Sequence, residues 1–325
     1  MRAVTVREFG GPEVLQISEL PDPTPASGEV LLGVAATAVN KGDTHQRVGN
    51  YPPPPGVTDV MGLECSGTVL AVGDDVTRWK PGDEVCALVA GGGYADRAVV
   101  PAGQVMPVPA GVDLISAAAL PEAAATVWSN VFMESAMKPG ETILVHGGAG
   151  GIGSFAISLA AARGHRVFAT AGSPGKVATC LDLGADVGID YRDEDFVGVV
   201  KEATGGRGVD VILDNMGASY LDRNLKTLAT GGRLAIIGMQ GGTRGDLNIG
   251  RLLVKRARVI ATSLRPRPLA EKAAICSQLV EQVWPLYASG AIKPVIDCVM
   301  PLADVARAHE RLEASSHTGK IVLVP

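Results

Sequence analysis

From the N-terminus to about Leu120, short β-branched runs separated by glycine and proline predict strands. The clearest runs are VLLGVAATAVN, ECSGTVLAVG, DEVCALVA and YADRAVVP. Between Ala117 and Glu134 the sequence becomes rich in alanine and predicts helix instead. We therefore expect the first part of the chain to be a mostly β domain that ends in a helical segment.

Beyond Glu141, apolar runs typical of buried strands alternate with helical stretches such as 176–183 and 220–228. The six predicted strands are ETILVHGG, RVFATAG, DVGIDY, GVDVILDNMG, GRLAIIGM and ARVIATSL, the last covering Ala257 to Leu264. Strand and helix that alternate in this way are typical of an α/β fold with a doubly wound parallel sheet.

After Leu264 the pattern changes to a long helix over 270–289 with a kink at Pro285, a strand over 293–299, a helix over 302–314 and a final strand, GKIVLVP. The sequence therefore predicts one β-rich domain from residues 1–122 and 265–325, and an inserted nucleotide-binding domain from residues 123–264. Ligands of such sheets bind beyond the carboxyl ends of the strands, so the cleft between the domains is the expected substrate site.

A glycine motif, Gly148-x-Gly150-x-x-Gly153, follows the β-branched run Thr142–Val145 and precedes an apolar helical segment. Such a turn lets the backbone approach a pyrophosphate, and the helix N-terminus offers free N–H groups. The motif alone is weak evidence because 41 of the 325 residues are glycine. With the flanking strands and helix it predicts a Rossmann dinucleotide site, the alternative being a glycine-rich turn in another α/β sheet.

The strand after this helix ends in AGSPGK, residues 171–176, where NAD sites usually carry an acidic residue. No carboxylate is present to repel a 2′-phosphate. Ser173 can donate a hydrogen bond, and Lys176 supplies a positive charge, which favours NADP(H) over NAD. Alternatively, Ser173 caps the next helix and Lys176 is a solvated charge; both interpretations can hold together.

Composition and charge exclude several classes of protein. The apolar runs are shorter than a membrane span, and the N-terminus has no apolar export signal. A net charge of -5 argues against a nucleic-acid partner. The five cysteines are scattered without a CxxC pair, which favours a reducing compartment over disulfides or zinc. We expect a cytoplasmic protein that binds no membrane and no nucleic acid.

Over essentially its whole length the chain resembles the medium-chain dehydrogenase/reductase family. The resemblance is carried by FGGPEVL, VAATAVNKGDTHQRVGNYPPPPG, GLECSGTV, VHGGAGGIG, DVGIDYRDEDF, GVDVILDNMG, GRLAIIG and GKIVLVP. It is strongest to the zinc-independent quinone oxidoreductases, in particular the branch of the p53-inducible quinone oxidoreductase. It implies a GroES-like catalytic domain, an inserted Rossmann domain, hydride transfer from NADPH to a quinone, and a homodimer joined through the Rossmann edge strand.

The resemblance also predicts that no metal is bound. Zinc alcohol dehydrogenases of this family place a cysteine where this chain has Asn40, and a His-Glu pair where it has Leu63 and Glu64. The lobe with four closely spaced cysteines is missing after Cys86. Asn40 and Leu63 cannot supply the thiolate and imidazole of a catalytic zinc site. Reduction of a quinone or an activated alkene is then favoured over alcohol oxidation.

The glycine motif, the AGSPGK segment and the resemblance together predict a set of residues that contact NADP(H): Asn40, Thr126, Gly148, Gly150, Gly151, Ile152, Gly153, Ser173, Lys176, Tyr191, Asn215, Gly238, Ser263, Leu264 and Lys320. Besides Ser173 and Lys176, four of these have an ordinary structural alternative. Asn40 would form an Asx turn, Thr126 would pack within a helix, Tyr191 would be a loop aromatic, and Lys320 would be a surface lysine.

Tyr51 is the candidate catalytic residue. It follows a Gly-Asn turn and precedes four prolines that stiffen the backbone. Its phenol could donate a proton to the reduced acceptor, or its ring could only pack over the nicotinamide and the substrate. The sequence favours neither role.

Two other functions remain open from the sequence. An NADPH-dependent enoyl or alkenal reductase, acting on α,β-unsaturated carbonyls, would use the same cofactor site. A non-catalytic NADPH-binding sensor or RNA-binding protein would bind the cofactor without turnover, although the acidic pI weighs against RNA.

Overall fold

The computed structural model describes all residues from Met1 to Pro325, and the chain divides into two compact units. Unit 1 comprises Met1–Ala125 and Leu264–Pro325, and unit 2 comprises Thr126–Ser263. The first division lies three residues after the predicted one, and the second lies one residue before it.

The strands, in chain order, are β1 (Arg2–Val6), β2 (Leu15–Glu19), β3 (Glu29–Ala38), β4 (Glu64–Val72), β5 (Glu84–Leu88), β6 (Arg97–Pro101), β7 (Val105–Pro107), β8 (Thr142–Val145), β9 (Arg166–Ala171), β10 (Val187–Asp190), β11 (Val209–Asp214), β12 (Leu228–Ile236), β13 (Arg258–Ala261), β14 (Ile296–Pro301) and β15 (Lys320–Val324). The α-helices are α1 (Lys41–Arg47), α2 (Leu114–Ala117), α3 (Pro121–Val127), α4 (Gly151–Ala162), α5 (Pro174–Asp182), α6 (Phe196–Ala203), α7 (Leu221–Thr227), α8 (Ile249–Lys255), α9 (Leu269–Gln282), α10 (Trp284–Ala288) and α11 (Val305–Glu313).

Unit 1 is built around a seven-stranded sheet in which β14, β15, β3, β4, β5 and β7 follow one another and β6 also pairs with β3. The four strands predicted in the first part of the chain are β3 to β6. Alternate residues of β3 lie on one face of the sheet, so Val30, Leu32 and Val34 pack in a buried cluster with Val69 and Val85. The β1–β2 hairpin and α1 were not predicted, because their runs are short and interrupted by glycine and charged residues.

The register of three neighbouring strands brings their polar ends together. Val322 in β15 pairs with Ala38 in β3, and Thr37 in β3 pairs with Cys65 in β4. Both pairings are antiparallel, so the start of β15 and the start of β4 lie beside the end of β3. This arrangement places three polar side chains in one buried cluster, described below.

Unit 2 contains a six-stranded sheet in the order β10, β9, β8, β11, β12 and β13, with every pair parallel. All six predicted strands are present, and their order is that of a Rossmann fold. The predicted α/β class is confirmed. Leu144, Phe168, Ile189, Ile212 and Leu234 from five of these strands share one buried cluster.

The predicted long helix over 270–289 is wrong in one respect, because it is two helices, α9 and α10, separated at Val283. Pro285 lies in the first turn of α10, where its missing N–H costs no hydrogen bond, and it cannot continue α9. The alanine-rich segment ends in a π-helix, Trp128–Glu134. None of the helices is both long enough and apolar enough to cross a bilayer.

Candidate active site

In unit 1, Asn40 and Lys320 meet around Glu64. The Lys320 ammonium lies 2.6 Å from Glu64 Oε1 and donates to Asn40 Oδ1 at 2.6 Å. The Asn40 amide donates to Glu64 Oε1 at 2.9 Å. Glu64 is 0% exposed and Lys320 6% exposed. Lys320 is therefore not a surface lysine, and the strand it begins lies between two others.

The side chains of this cluster do not offer the ligand atoms that a zinc ion needs. Leu63 is apolar, Asn40 offers an amide, and the Glu64 carboxylate is already shared by an ammonium and two N–H groups, one of them the Glu122 backbone N–H at 2.9 Å. A zinc site needs thiolate, imidazole or free carboxylate ligands, and an ammonium beside the carboxylate opposes a second cation.

Asn40 is also the N-cap of α1, so it begins a helix rather than only the Asx turn considered from the sequence. The Asp43 carboxylate accepts from the Asn40 N–H at 2.8 Å, as in a capping box, and from the Gly62 N–H at 3.3 Å. The Tyr94 hydroxyl donates to the same carboxylate at 3.0 Å and lies 3.2 Å from His309 Nε2. Burial raises the pKa of Asp43 to about 6 and lowers that of His309 to about 3.

Tyr51 is half-buried and lies against Arg265. The Arg265 guanidinium lies 5.0 Å from the centroid of the Tyr51 ring and donates to the Tyr51 carbonyl at 2.9 Å. The two residues are 214 positions apart, so nothing in either local sequence indicates the contact.

In unit 2, the glycine motif forms the turn between β8 and α4. Gly150 is the N-cap of α4, so the N–H groups of Gly151, Ile152 and Gly153 belong to the first helical turn and have no partner within the helix. A Cβ at Gly153 would overlap the carbonyl oxygen of Gly147, so this position excludes any other side chain. The geometry fits a dinucleotide pyrophosphate.

Three predicted positions gather at the carboxyl ends of β9 and β10. Ser173 caps α5, since its Oγ accepts from the Lys176 N–H at 3.4 Å. The Tyr191 hydroxyl lies directly over Gly172, where an added Cβ would overlap it, and Tyr191 remains 42% exposed. The helix-cap interpretation of Ser173 is thus correct, and the predicted 2′-phosphate contacts of these residues stay predictions.

Asn215 and Gly238 meet at the carboxyl ends of β11 and β12. A Cβ at Gly238 would come within 2.7 Å of the Asn215 carbonyl oxygen. The Asp214 carboxylate shapes the turn by accepting from the Met216 and Gly217 N–H groups at 2.8 and 3.0 Å. The side-chain Oδ1 of Asn215 is buried without a hydrogen-bond partner. An acceptor left in this state fits a donor supplied by a bound cofactor.

Thr126 lies at the start of unit 2, and its carbonyl accepts from Asn130 Nδ2 at 2.8 Å. Asn130 Oδ1 in turn accepts from the Thr262 hydroxyl at 2.7 Å, next to Ser263. The sequence did not identify Asn130, whose only indication is a single amide in the apolar run VWSNVF. It lies in the π-helix, a form often found at functional sites. Leu264 begins the second segment of unit 1.

Two protein-family models and a full-length relative match this chain. Residues 26–110 match the alcohol dehydrogenase GroES-like domain, and residues 183–323 match a model described as zinc-binding dehydrogenase. The quinone oxidoreductase of Rattus norvegicus is 33% identical over 330 residues, covering 100% of this chain and 98% of the rat protein.

Two solved structures are similar over the full length. The Escherichia coli quinone oxidoreductase complexed with NADPH has a TM-score of 0.90 and 33% identity, covering 100% of both chains. An NAD-dependent alcohol dehydrogenase has a TM-score of 0.88 and 32% identity, also covering 100% of both chains.

Proposed function

We propose that this chain, which belongs to the quinone oxidoreductases of the medium-chain dehydrogenase/reductase family, transfers hydride from NADPH to a quinone without zinc. The observation that carries the proposal is the buried cluster of Asn40, Glu64 and Lys320. In a chain that matches quinone oxidoreductases along its whole length, this cluster lacks the ligands that zinc-dependent alcohol oxidation requires.

The residues of unit 2 fit NADPH, which when bound supplies the hydride. The first turn of α4 would hold the pyrophosphate, and Ser173, Lys176 and Tyr191 would surround the 2′-phosphate. Asn215 would offer its unpartnered Oδ1 to the cofactor. The absence of a carboxylate after β9 favours NADPH over the NAD used by the similar alcohol dehydrogenase.

Replacing Lys176 with alanine is expected to raise KM for NADPH and leave KM for NADH little changed. Loss of one charge-assisted contact corresponds to about 1–3 kcal/mol. Initial rates measured with both cofactors, beside the exposed-lysine control Lys201→Ala, check this. Equal affinity of the unmodified protein for NADPH and NADH would contradict the assignment.

The purified protein is expected to contain no stoichiometric zinc and to keep its activity in strong chelators, because the Asn40–Glu64–Lys320 cluster offers no zinc ligand set. Elemental analysis of protein prepared with added zinc is the measurement. One zinc ion per chain would show that the site has been misinterpreted.

Reduction of α,β-unsaturated carbonyls is the second candidate, since the Tyr51 phenol would protonate the enolate that hydride addition forms. An assay of NADPH oxidation with ortho-quinones, para-quinones and enones side by side distinguishes the two enzymatic functions. Tight NADPH binding without turnover of any acceptor would instead support the non-catalytic alternative. The interdomain location of the substrate and the cytoplasmic location stay predictions.

We expect a homodimer. β13 is the edge strand of the unit 2 sheet, and its Val259 is 36% exposed. The adjacent helix α8 exposes Leu253 by 72% and Val254 by 83%. An open edge beside apolar side chains is a hazard in a monomer, and pairing of two such edges across a two-fold axis would cover it. Light scattering at micromolar concentration should give twice the chain mass for the unmodified protein. The variant Val259→Arg should give the mass of one chain. A monomeric unmodified protein would refute the predicted homodimer.

A further inference from the structure

Arg265 is a buried cation without a carboxylate partner. It is 5% exposed, and none of the hydrogen bonds of its guanidinium goes to an acidic side chain. Its N–H groups donate instead to neutral oxygens: the Ala90 carbonyl at 2.6 Å, the Tyr51 carbonyl at 2.9 Å and Gln46 Oε1 at 2.9 Å. Burying a charge in this way is costly, and hydrogen bonds to neutral groups offset only part of that cost.

A second buried cation adds to the positive charge here. Lys272 is 4% exposed, and its ammonium donates to the Arg265 carbonyl at 3.3 Å. Burial lowers the pKa of Arg265, and the Tyr51 phenol and the Asp43 carboxyl partly offset this effect. The Asp43 carboxyl raises the pKa of Arg265 through its charge, but its own hydrogen bonds go to other groups. The surroundings of Arg265 therefore favour the arrival of a negative charge.

The contacts of Arg265 converge on Tyr51. The Arg265 guanidinium donates a hydrogen bond to the Tyr51 carbonyl and lies over the face of the Tyr51 ring. It also fixes Gln46 in α1, whose Nε2 donates to the Asp59 carbonyl at 3.0 Å on the far side of the proline run. Arg265 thus joins the segments before and after Tyr51. The prolines limit the backbone of this loop, and Arg265 sets where its aromatic ring lies.

We propose that Arg265 is a positioning residue for Tyr51, and that its buried positive charge stabilises the negative charge that develops on the acceptor oxygen next to the phenol. This inference rests on the proposed function, in which Tyr51 faces the acceptor. Adding hydride to a quinone or an enone leaves a negative charge on the acceptor oxygen, and a fixed cation nearby is worth more in a buried site than in water. The specificity expected is for acceptors with a carbonyl oxygen beside Tyr51.

The test compares Arg265→Met, which removes the charge, with Arg265→Lys, which keeps it. Arg265→Met is expected to lower kcat by about 10-fold to 100-fold with a quinone and with an enone, with KM for NADPH unchanged, by analogy with the loss of one oxyanion donor. Arg265→Lys is expected to keep kcat within about threefold of the unmodified protein. Lysine keeps the positive charge, although it lacks the planar set of N–H donors of arginine. In a Tyr51→Phe background, Arg265→Met should lower kcat by a smaller factor than in the unmodified protein, because only the effect of the charge on the acceptor oxygen then remains.

Arg47→Lys serves as the matched control. Arg47 is also a buried arginine of unit 1, but it pairs with Glu313 and does not contact Tyr51. Arg47→Lys is expected to lower Tm without altering the ratio of enone to quinone turnover.

Equal kcat values for Arg265→Met and the unmodified protein would overturn the inference alone. An equal fold-loss of kcat from Arg265→Met in the unmodified protein and in the Tyr51→Phe background would overturn the positioning role of Arg265. Absence of turnover with every acceptor in the unmodified protein would instead overturn the proposed function. If Arg265→Met does not fold, a fall in kcat beyond about threefold in a folded Arg265→Lys contradicts the charge-based account.

Discussion

Replacing Lys320 with methionine is expected to lower the free energy of unfolding by about 3–5 kcal/mol, the usual cost of removing one partner from a buried ion pair. Glu64 is 0% exposed, so the change leaves a carboxylate in the interior without its cation. Asn40 Oδ1 loses its donor at the same time. Urea unfolding followed by circular dichroism measures the difference as a shift in midpoint at constant slope.

The matched control is Lys293→Met, because Lys293 is an exposed lysine of the same unit. Its effect is expected to stay within about 0.5 kcal/mol, as for most surface substitutions. Adding Glu64→Gln to Lys320→Met should recover part of the loss, since the stranded charge is removed. A loss below about 1 kcal/mol for Lys320→Met would contradict a buried ion pair at this place.

Replacing Tyr51 with phenylalanine is expected to lower kcat with an enone by about 10²-fold or more, the loss typical of a missing general acid. The same substitution should be nearly silent with a quinone, because its reduced oxygens take protons readily from water. Tyr51→Ala should raise KM for NADPH and for the acceptor, since it also removes the stacking area of the ring. Steady-state kinetics of both variants with one quinone and one enone provide the measurement.

Tyr191→Phe is the control for this comparison. Tyr191 lies over Gly172 in unit 2 and is predicted to contact the cofactor, so its variant should change KM for NADPH and not the ratio of enone to quinone turnover. A large and equal loss of kcat on both acceptors for Tyr51→Phe would show that quinone reduction also needs the phenol proton.

Unit 2 was predictable because its determinants are local. Each of its strands contains a short apolar run, and the glycine turn, the helix after it and the next strand lie within about 30 residues, as a βαβ unit requires. The Ser173 cap was also predictable, because a cap depends on the few residues that follow it. The β1–β2 hairpin was missed, because its two short strands gain most of their stability from packing on the rest of unit 1 rather than from their own pattern.

The sequence by itself therefore determined the fold class, the dinucleotide turn and the absence of zinc-type ligands at positions 40 and 63, since each depends on residue types at fixed spacing. Only the tertiary structure decided that Lys320 pairs with Glu64 and Asn40, and that Arg265 holds Tyr51. Lys320 and Asn40 are 280 positions apart, and Arg265 and Tyr51 are 214 apart. Such contacts come from the register of neighbouring strands and from the C-terminal segment, which belongs to unit 1. Neither can be predicted from the residues next to each contact in the sequence.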